Sequence, residues 1–475
     1  MNMSFFQELL GSIAERGRAL VERPPDRQTV DGRTTAMPDV PATAAEAPET
    51  LESLCRDLLS GRGEASGVAL ARQVLDLYAA ASVPARLDFF RLLARDFGPD
   101  PARLRAAWAA YDNDPADPAG LRALLRDVEP PRQELFRRLN LAPGGTAALV
   151  HMREDLLKHG GDDPGLASVD DDLAHLLSSW FNRGFLVLRR IDWSTPADIL
   201  ERIIRYEAVH AISDWGELRR RVQPPDRRCF AFFHPSLVDE PLIFVEVALT
   251  REVPGSIQAL LAEDREVLPP ERATTAVFYS ISNCQPGLKG VSFGNFLIKQ
   301  VVEELSREVT SLATFVTLSP APGFGRWLDR AVADPAAAGL EDDGGIDTAA
   351  LEELRAPGWH RDPAAAERHR PLLLGLAAHY YLRAKGPGGR LPDPVGRFHL
   401  GNGARLERLN WLGDTSEKGL REAAGLMVNY LYDLRFIEAN HEAFANQGTV
   451  VASDDVKRHL PVPTAAKHAT ETAHV

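Results

Sequence analysis

Cysteine is scarce in this 475-residue chain. There are three, Cys55, Cys229 and Cys284, and none sits in a CxxC pair. That argues against a disulfide framework or a zinc ribbon and for a reducing compartment. Long apolar runs are missing too. No stretch approaches the roughly 20 uninterrupted apolar residues of a membrane span. Positive charge is in deficit: 67 Asp and Glu face 54 Lys and Arg, a formal net charge of −13. A nucleic-acid role usually needs a basic face, so none is expected. An anionic ligand would have to be held by local geometry against the global sign. No HExxH or HxxxH pair occurs, and no His–carboxylate group has metal-ligand spacing, so no metal is expected. The first 24 residues lack an apolar core followed by small cleavage residues, so they do not read as a secretory signal. Glu8, Glu15 and Glu22 weaken a mitochondrial presequence, which leaves the cytoplasm as the expected compartment.

What is present is ordinary in bulk: 44% hydrophobic and 25% charged residues, enough for two or three domains. Residues 1–48 divide into an amphipathic start and a Pro-, Thr- and Ala-rich stretch (24–48) that reads as a flexible linker. From 49 to 182 the apolar period is helical. Leu87, Phe90, Ala94 and Phe97 make one stripe, and Leu104, Trp108 and Tyr111 make another. Prolines at 99, 101, 115, 118, 130 and 131 punctuate short helices. No fixed-length repeat marks a solenoid.

At Gly184 the pattern turns to strands. GFLVLRRI, RRCFAFFHP, PLIFVEVALT and TTAVFYSIS are strand candidates, the second and third joined as an antiparallel hairpin. A glycine loop, a helix from about 294 to 308 and a further strand, LATFVTLS, come next. RPLLLGLAAHYYLRA reads as a helix. Residues 391–411 read as irregular or extended, and GLREAAGLMVNYLYDLRFIEANHEAFA reads as one long helical stretch. The fold class is α+β. A catalytic half would span 183–450, with a frayed tail at 451–475.

Three stretches carry chemistry. QPGLKGVSFGN places Gly287, Gly290 and Gly294 with Lys289 ahead of a helix. Glycines let a ligand approach the backbone, and a helix start favours an anion such as phosphate. The loop is neither GxxxxGK[ST] nor GxGxxG, and a plain tight turn explains the glycines equally well. In TLSPAPGFGRWL, Ser319 ends a strand, and Pro320 and Pro322 stiffen the turn after it. Its hydroxyl suits a positioned donor or an ordinary cap, and it is not set in a GxSxG elbow. In GRFHLGNGARLERLNW, His399 stands between Phe398 and Leu400, before the Gly401-Asn402-Gly403 turn. Such a His titrates near neutrality, although a lone His is more often structural.

Together and in order, these words resemble the malonyl-CoA decarboxylase family. The matching stretches are VFYSIS, GLKGVSFGNFLIKQVVEEL, LSPAPGF, FHLGNGARLERLNW, LMVNYLY and EAVHAISDWGELRRRV, spread over roughly residues 150 to 435. The resemblance implies a helical oligomerisation domain followed by a catalytic domain of the GNAT (N-acetyltransferase) type, with a mixed, mostly antiparallel sheet. It implies that Lys289, Gly290, Val291, Ser292, Phe293, Gly294 and Asn295 hold the pyrophosphate of coenzyme A. Ser292 stands where some family members have a glutamate. Ser319 and His399 map onto the family's catalytic serine and histidine, with Tyr430 and Asn429 as supporting contacts. The implied substrate is malonyl-CoA, the implied cofactor none, and the implied assembly a homo-oligomer such as a tetramer, away from membranes and nucleic acids.

The expected reaction releases acetyl-CoA and carbon dioxide through a thioester enolate, with His399 protonating the carbon. Two other functions are open at this point. One is a CoA-dependent acyltransferase of the same fold. The other is a non-catalytic malonyl-CoA-sensing scaffold.

Overall fold

The computed structural model describes residues 50–60, 64–161, 163–291, 297–334, 340, 350, 353 and 358–460. The expected N-terminal segment and linker lie outside the described residues, as do Ser292, Phe293, Gly294 and Asn295 and the tail beyond 460.

The helical half holds α1 (Leu51–Leu59), α2 (Glu64–Ala80), α3 (Val83–Asp96), α4 (Pro101–Asn113), α5 (Pro118–Val128), α6 (Pro131–Asn140), α7 (Gly145–His159) and α8 (Pro164–Trp180). The dipeptide Asp-Pro starts three of these. Asp100, Asp117 and Asp163 each accept a backbone N–H of the first turn, while proline fills the position that has no N–H to pair. Phe90, Leu93, Leu135, Phe136, Leu139, Met152 and Leu173 form this half's core. Phe90 and Phe97 of the first predicted stripe are buried, but Trp108 of the second is 56% exposed. The hairpin α4–α5 packs chiefly on itself, so its apolar stripe has no core to enter.

The second half is built on one eight-stranded sheet. Its strands are β1 (Val187–Ile191), β2 (Arg227–Phe233), β3 (Pro241–Thr250), β4 (Thr275–Asn283), β5 (Thr314–Thr317), β6 (Ser319–Pro320), β7 (Arg405–Asn410) and β8 (Met427–Leu431). Their order is β1-β2-β3-β4-β5-β8-β6, with β7 also paired to β8. Every pairing is antiparallel except β4 with β5. A parallel pair needs a crossover, and α12 (Leu297–Glu308) supplies it. Leu297, Ile298, Val301, Val302 and Leu305 bury one face of that helix against the sheet core. Further helices are α9 (Ala197–Tyr206), α10 (Trp215–Val222), α11 (Ile257–Leu261), α13 (Phe324–Ala333), α14 (Pro363–Leu382), α15 (Pro394–Gly401), α16 (Glu417–Ala423) and α17 (Ile437–Gln447). Trp180 packs against both main cores, and Val150 of α7 lies in the sheet core.

Three expectations fail locally. The tail expected to fray from 451 is held in place as far as 460: the Leu406 N–H donates to the Val451 carbonyl, the Ser453 N–H donates to the Leu406 carbonyl, and Asp454–Lys457 is a helix with Val456 buried. Residues 391–411, expected to be irregular or extended, hold α15 before the strand β7, because Asp393-Pro394 starts a helix in the same way as in the first half. The expected long helix over residues 419–445 is broken. Ala424 and Gly425 turn left-handed (φ 49° and 80°), and Met427–Leu431 form strand β8. Met427–Tyr430 are buried on both faces, so the strand carries no two-residue alternation to tell it from a helix.

Candidate active site

β4 and β5 run parallel over Thr275–Phe278 and Thr314–Thr317. The last bond between them is Leu318 N–H to the Phe278 carbonyl, 2.9 Å. Beyond it the strands part. Ser319 and Pro320 turn to pair with Val428 and Met427 of β8. β4 continues along β3 to Asn283, with a register shift at Tyr279. Such a shift bends and twists a strand, which widens the gap. The gap is a cavity of about 230 Å³, walled by Phe278, Ile281, Val395 and Phe398 and, on its polar side, by Ser319 and His399.

Ser319 Oγ and His399 Nε2 are 3.1 Å apart. The other ring nitrogen, Nδ1, is 2.8 Å from the Tyr432 hydroxyl. The Ser319 hydroxyl is 2.9 Å from Thr317 Oγ1, which also accepts the Tyr430 N–H at 3.1 Å. Tyr430 lies flat on the imidazole, centroids 4.6 Å apart at 25°. Ser319, His399, Tyr430 and Tyr432 are all buried.

Burial pushes the His399 imidazolium down to about 3, so the resting ring is neutral. A neutral imidazole has one N–H and one lone pair. It therefore donates at one nitrogen and accepts at the other. The Ser319 hydroxyl donates to Thr317, so the ring donates at Nε2 to Ser319 and accepts at Nδ1 from the Tyr432 hydroxyl, and the four residues form one directional chain of hydrogen bonds.

Asn429 plays a different part. Its Nδ2 donates to the Thr317 carbonyl (2.7 Å), and its Oδ1 accepts from Arg408 (3.0 Å) and Asn410 (2.8 Å). Fully bonded and buried, it fixes the end of β5 rather than facing the cavity.

Of the predicted anion loop, Lys289, Gly290 and Val291 are described. They follow β4 and the short turn Pro286–Leu288. Lys289 and Gly290 are exposed, and Gly290 has φ 80°, a conformation that favours glycine. Among the described residues, no group of three or more His, Cys, Asp or Glu side chains has metal-holding geometry.

Sequence reasoning missed Tyr432 and Thr317. Tyr432 lies two positions beyond Tyr430 in LMVNYLY, so a strand reading of that word would have placed both rings on one face.

Comparison with known proteins gives a consistent result. A family profile described as "Malonyl-CoA decarboxylase C-terminal domain" matches residues 184–470, and one described as "Malonyl-CoA decarboxylase N-terminal domain" matches residues 97–181. The chain is 36% identical over 401 residues to the mitochondrial malonyl-CoA decarboxylase of Anser anser anser, covering 78% of this chain and 79% of that one. The solved malonyl-CoA decarboxylase of Rhodopseudomonas palustris superposes with a TM-score of 0.81 at 58% identity, over 86% of this chain and 98% of that one. That of Agrobacterium vitis gives 0.82 at 55% identity, over 86% and 99%.

Proposed function

The chain belongs to the malonyl-CoA decarboxylase family, and on that premise we propose that it converts malonyl-CoA to acetyl-CoA and carbon dioxide with Ser319 and His399 as its catalytic pair. The observation that carries the assignment is the 3.1 Å contact between these two groups at the mouth of the β4–β5 gap. The acyl end lies in the cavity and the pantetheine arm along the edge of β4 that β5 leaves open. The nucleotide end reaches Lys289, Gly290 and Val291, where an exposed cation and a left-handed glycine suit a pyrophosphate.

The chemistry needs no resident cofactor, because the thioester is its own electron sink. The bond to the carboxylate carbon breaks, and its electron pair moves into the thioester as an enolate. Carbon dioxide leaves, and the carbon takes one proton. The Ser319 hydroxyl donates to the substrate oxygen that gains charge. As the imidazolium, His399 delivers the proton at Nε2 and is left neutral with its proton on Nδ1, held by the Tyr432 oxygen; the proton spent in each turnover is replaced from solvent. Burial keeps the imidazole neutral. The incoming carboxylate reverses that bias, since a nearby negative charge favours the imidazolium.

The helical half serves self-association in this reading. Leu121, Leu125 and Val128 repeat at i, i+4, i+7 along α5, and all three are exposed, as is Trp108 of α4. A second copy brings an identical stripe and covers it. The buried free cysteines suit a reducing compartment. Among the described residues, no helix is long and apolar enough to cross a membrane.

The test is to mix the purified protein with malonyl-CoA in D₂O and weigh the thioester products. Acetyl-CoA carrying one deuterium is the expected product. Unchanged malonyl-CoA, or a malonylated acceptor with free CoA, overturns the assignment.

A further inference from the structure

We propose that Arg153, on the helical half, is a positioning residue for the coenzyme A end of the substrate. It holds the Gly287–Lys289 turn from behind, so that Lys289 and the Gly290 N–H face the nucleotide. The inference rests on the reading of that loop as the pyrophosphate seat.

Arg153 projects from α7 and is 5% exposed. The two hydrogens of its Nη1 serve two carbonyls of the loop, Gly287 at 2.9 Å and Lys289 at 2.8 Å. Its Nε donates to Asp170 of α8 at 2.8 Å. One guanidinium thus joins two helices of the first half to the turn that leaves β4. The approach is close enough to demand glycine: a Cβ on Gly287 would stand 1.9 Å from the Val150 carbonyl oxygen.

Peptide geometry carries the effect to the next residue. In a trans peptide the carbonyl and the next N–H point in opposite directions. No peptide bond of the described chain is cis. With the Lys289 carbonyl turned toward Arg153, the Gly290 N–H points away from it. That N–H donates to no described residue, and Gly290 is exposed. Arg153 therefore sets which way the peptide faces. Without it, the buried Gly287 carbonyl and the half-buried Lys289 carbonyl lose their donor, and the peptide is free to rotate its N–H out of place. A lysine does not replace the fork, because one ammonium on a flexible stem does not reach two carbonyls and a carboxylate in fixed geometry.

The experiment compares kcat/KM for malonyl-CoA with that for malonyl-pantetheine, which lacks the nucleotide, in the full-length protein. The variants are Arg153→Met, Arg153→Lys and Asp170→Asn, with Lys289→Ala beside them. The expected result is a preference for the CoA thioester that falls about tenfold in Arg153→Met and less in Arg153→Lys and Asp170→Asn, through KM rather than kcat. Equal losses on both thioesters, or an unchanged preference in folded variants, overturn the proposal. If Arg153→Met does not fold, Asp170→Asn decides, since it keeps the shape of the pair and loosens only its charge. Lys289→Ala separates the two readings. An unchanged preference in that variant sinks the pyrophosphate seat. A reduced preference there with unchanged Arg153 variants sinks only the clamp.

Discussion

Asp393 accepts the Gly323 N–H at 3.3 Å, and that bond ties the turn after Ser319 to the helix that carries His399. The same buried carboxylate accepts the Gly396 N–H at 2.7 Å and the Tyr380 hydroxyl at 3.3 Å. Burial raises its pKa above the ordinary carboxylate value, against the hydrogen bonds that favour its charge. A Cβ at Gly323 would lie 2.4 Å from the Tyr380 hydroxyl, so the junction is closed to any larger residue.

Replacing Asp393 by Ala removes a helix cap and strands two buried donors. The expected cost is about 2–4 kcal/mol in denaturant unfolding. Asp393→Asn keeps an acceptor for the cap and costs less. Turnover falls with stability in both, because the junction sets the spacing of Ser319 and His399. Normal turnover in a destabilised Asp393→Ala protein would show that the spacing is set elsewhere.

His399→Ala is expected to lower kcat by about 10²–10⁴, the usual range for a lost general acid. Competition by malonyl-CoA against a labelled acyl-CoA should persist. Ser319→Ala added to His399→Ala should cost little more, since the two act as a unit. Tyr432→Phe keeps the ring and removes the partner of Nδ1, so a smaller loss, roughly tenfold, is expected.

The neutral state of His399 has a signature in stability against pH. Folded, the ring takes a proton only near pH 3, whereas in the unfolded chain it does so near 6.5. Between those values the unfolded state binds more protons, so acid favours unfolding. The stability is intact above about pH 6.5 and declines as the pH falls toward 3. From pH 6.5 to 5 the loss attributable to this one group is about 2 kcal/mol. His210, lowered to about 4, also by burial, remains in a His399→Gln variant and cancels in the comparison. The variant should therefore lose less stability than wild type between pH 7 and 5. Parallel unfolding curves would show that the folded ring takes up its proton as in the unfolded chain.

Gly287→Ala forces its methyl into the Val150 carbonyl. A destabilisation of roughly 1–3 kcal/mol is expected from the overpacking, together with a raised KM for malonyl-CoA. Gly290→Ala meets nothing within 4 Å but strains a left-handed φ of 80°, so it should cost about 1 kcal/mol. Equilibrium unfolding of the two variants distinguishes steric from conformational need for glycine.

Leu125→Glu on the exposed α5 stripe should shift the protein to a smaller species in light scattering, with the unfolding midpoint of the isolated subunit little changed. An unaltered mass would place the self-association surface elsewhere.

The sequence by itself determined the helical first half, the strand order up to Phe278 and the position of the glycine loop. These rest on local signals: helical stripes, proline punctuation, β-branched runs and glycine. Ser319 and His399 stood out as words of the sequence, but their contact did not. Tertiary structure alone decided that the strands part after Phe278, that Met427–Leu431 is a strand, and that Tyr432 closes the chain of hydrogen bonds. A strand buried on both faces has no alternation to betray it, and a contact across 80 positions exists only once Asp393 and the sheet register have brought two segments together. Local physics chose the elements, and long-range packing chose which side chains meet.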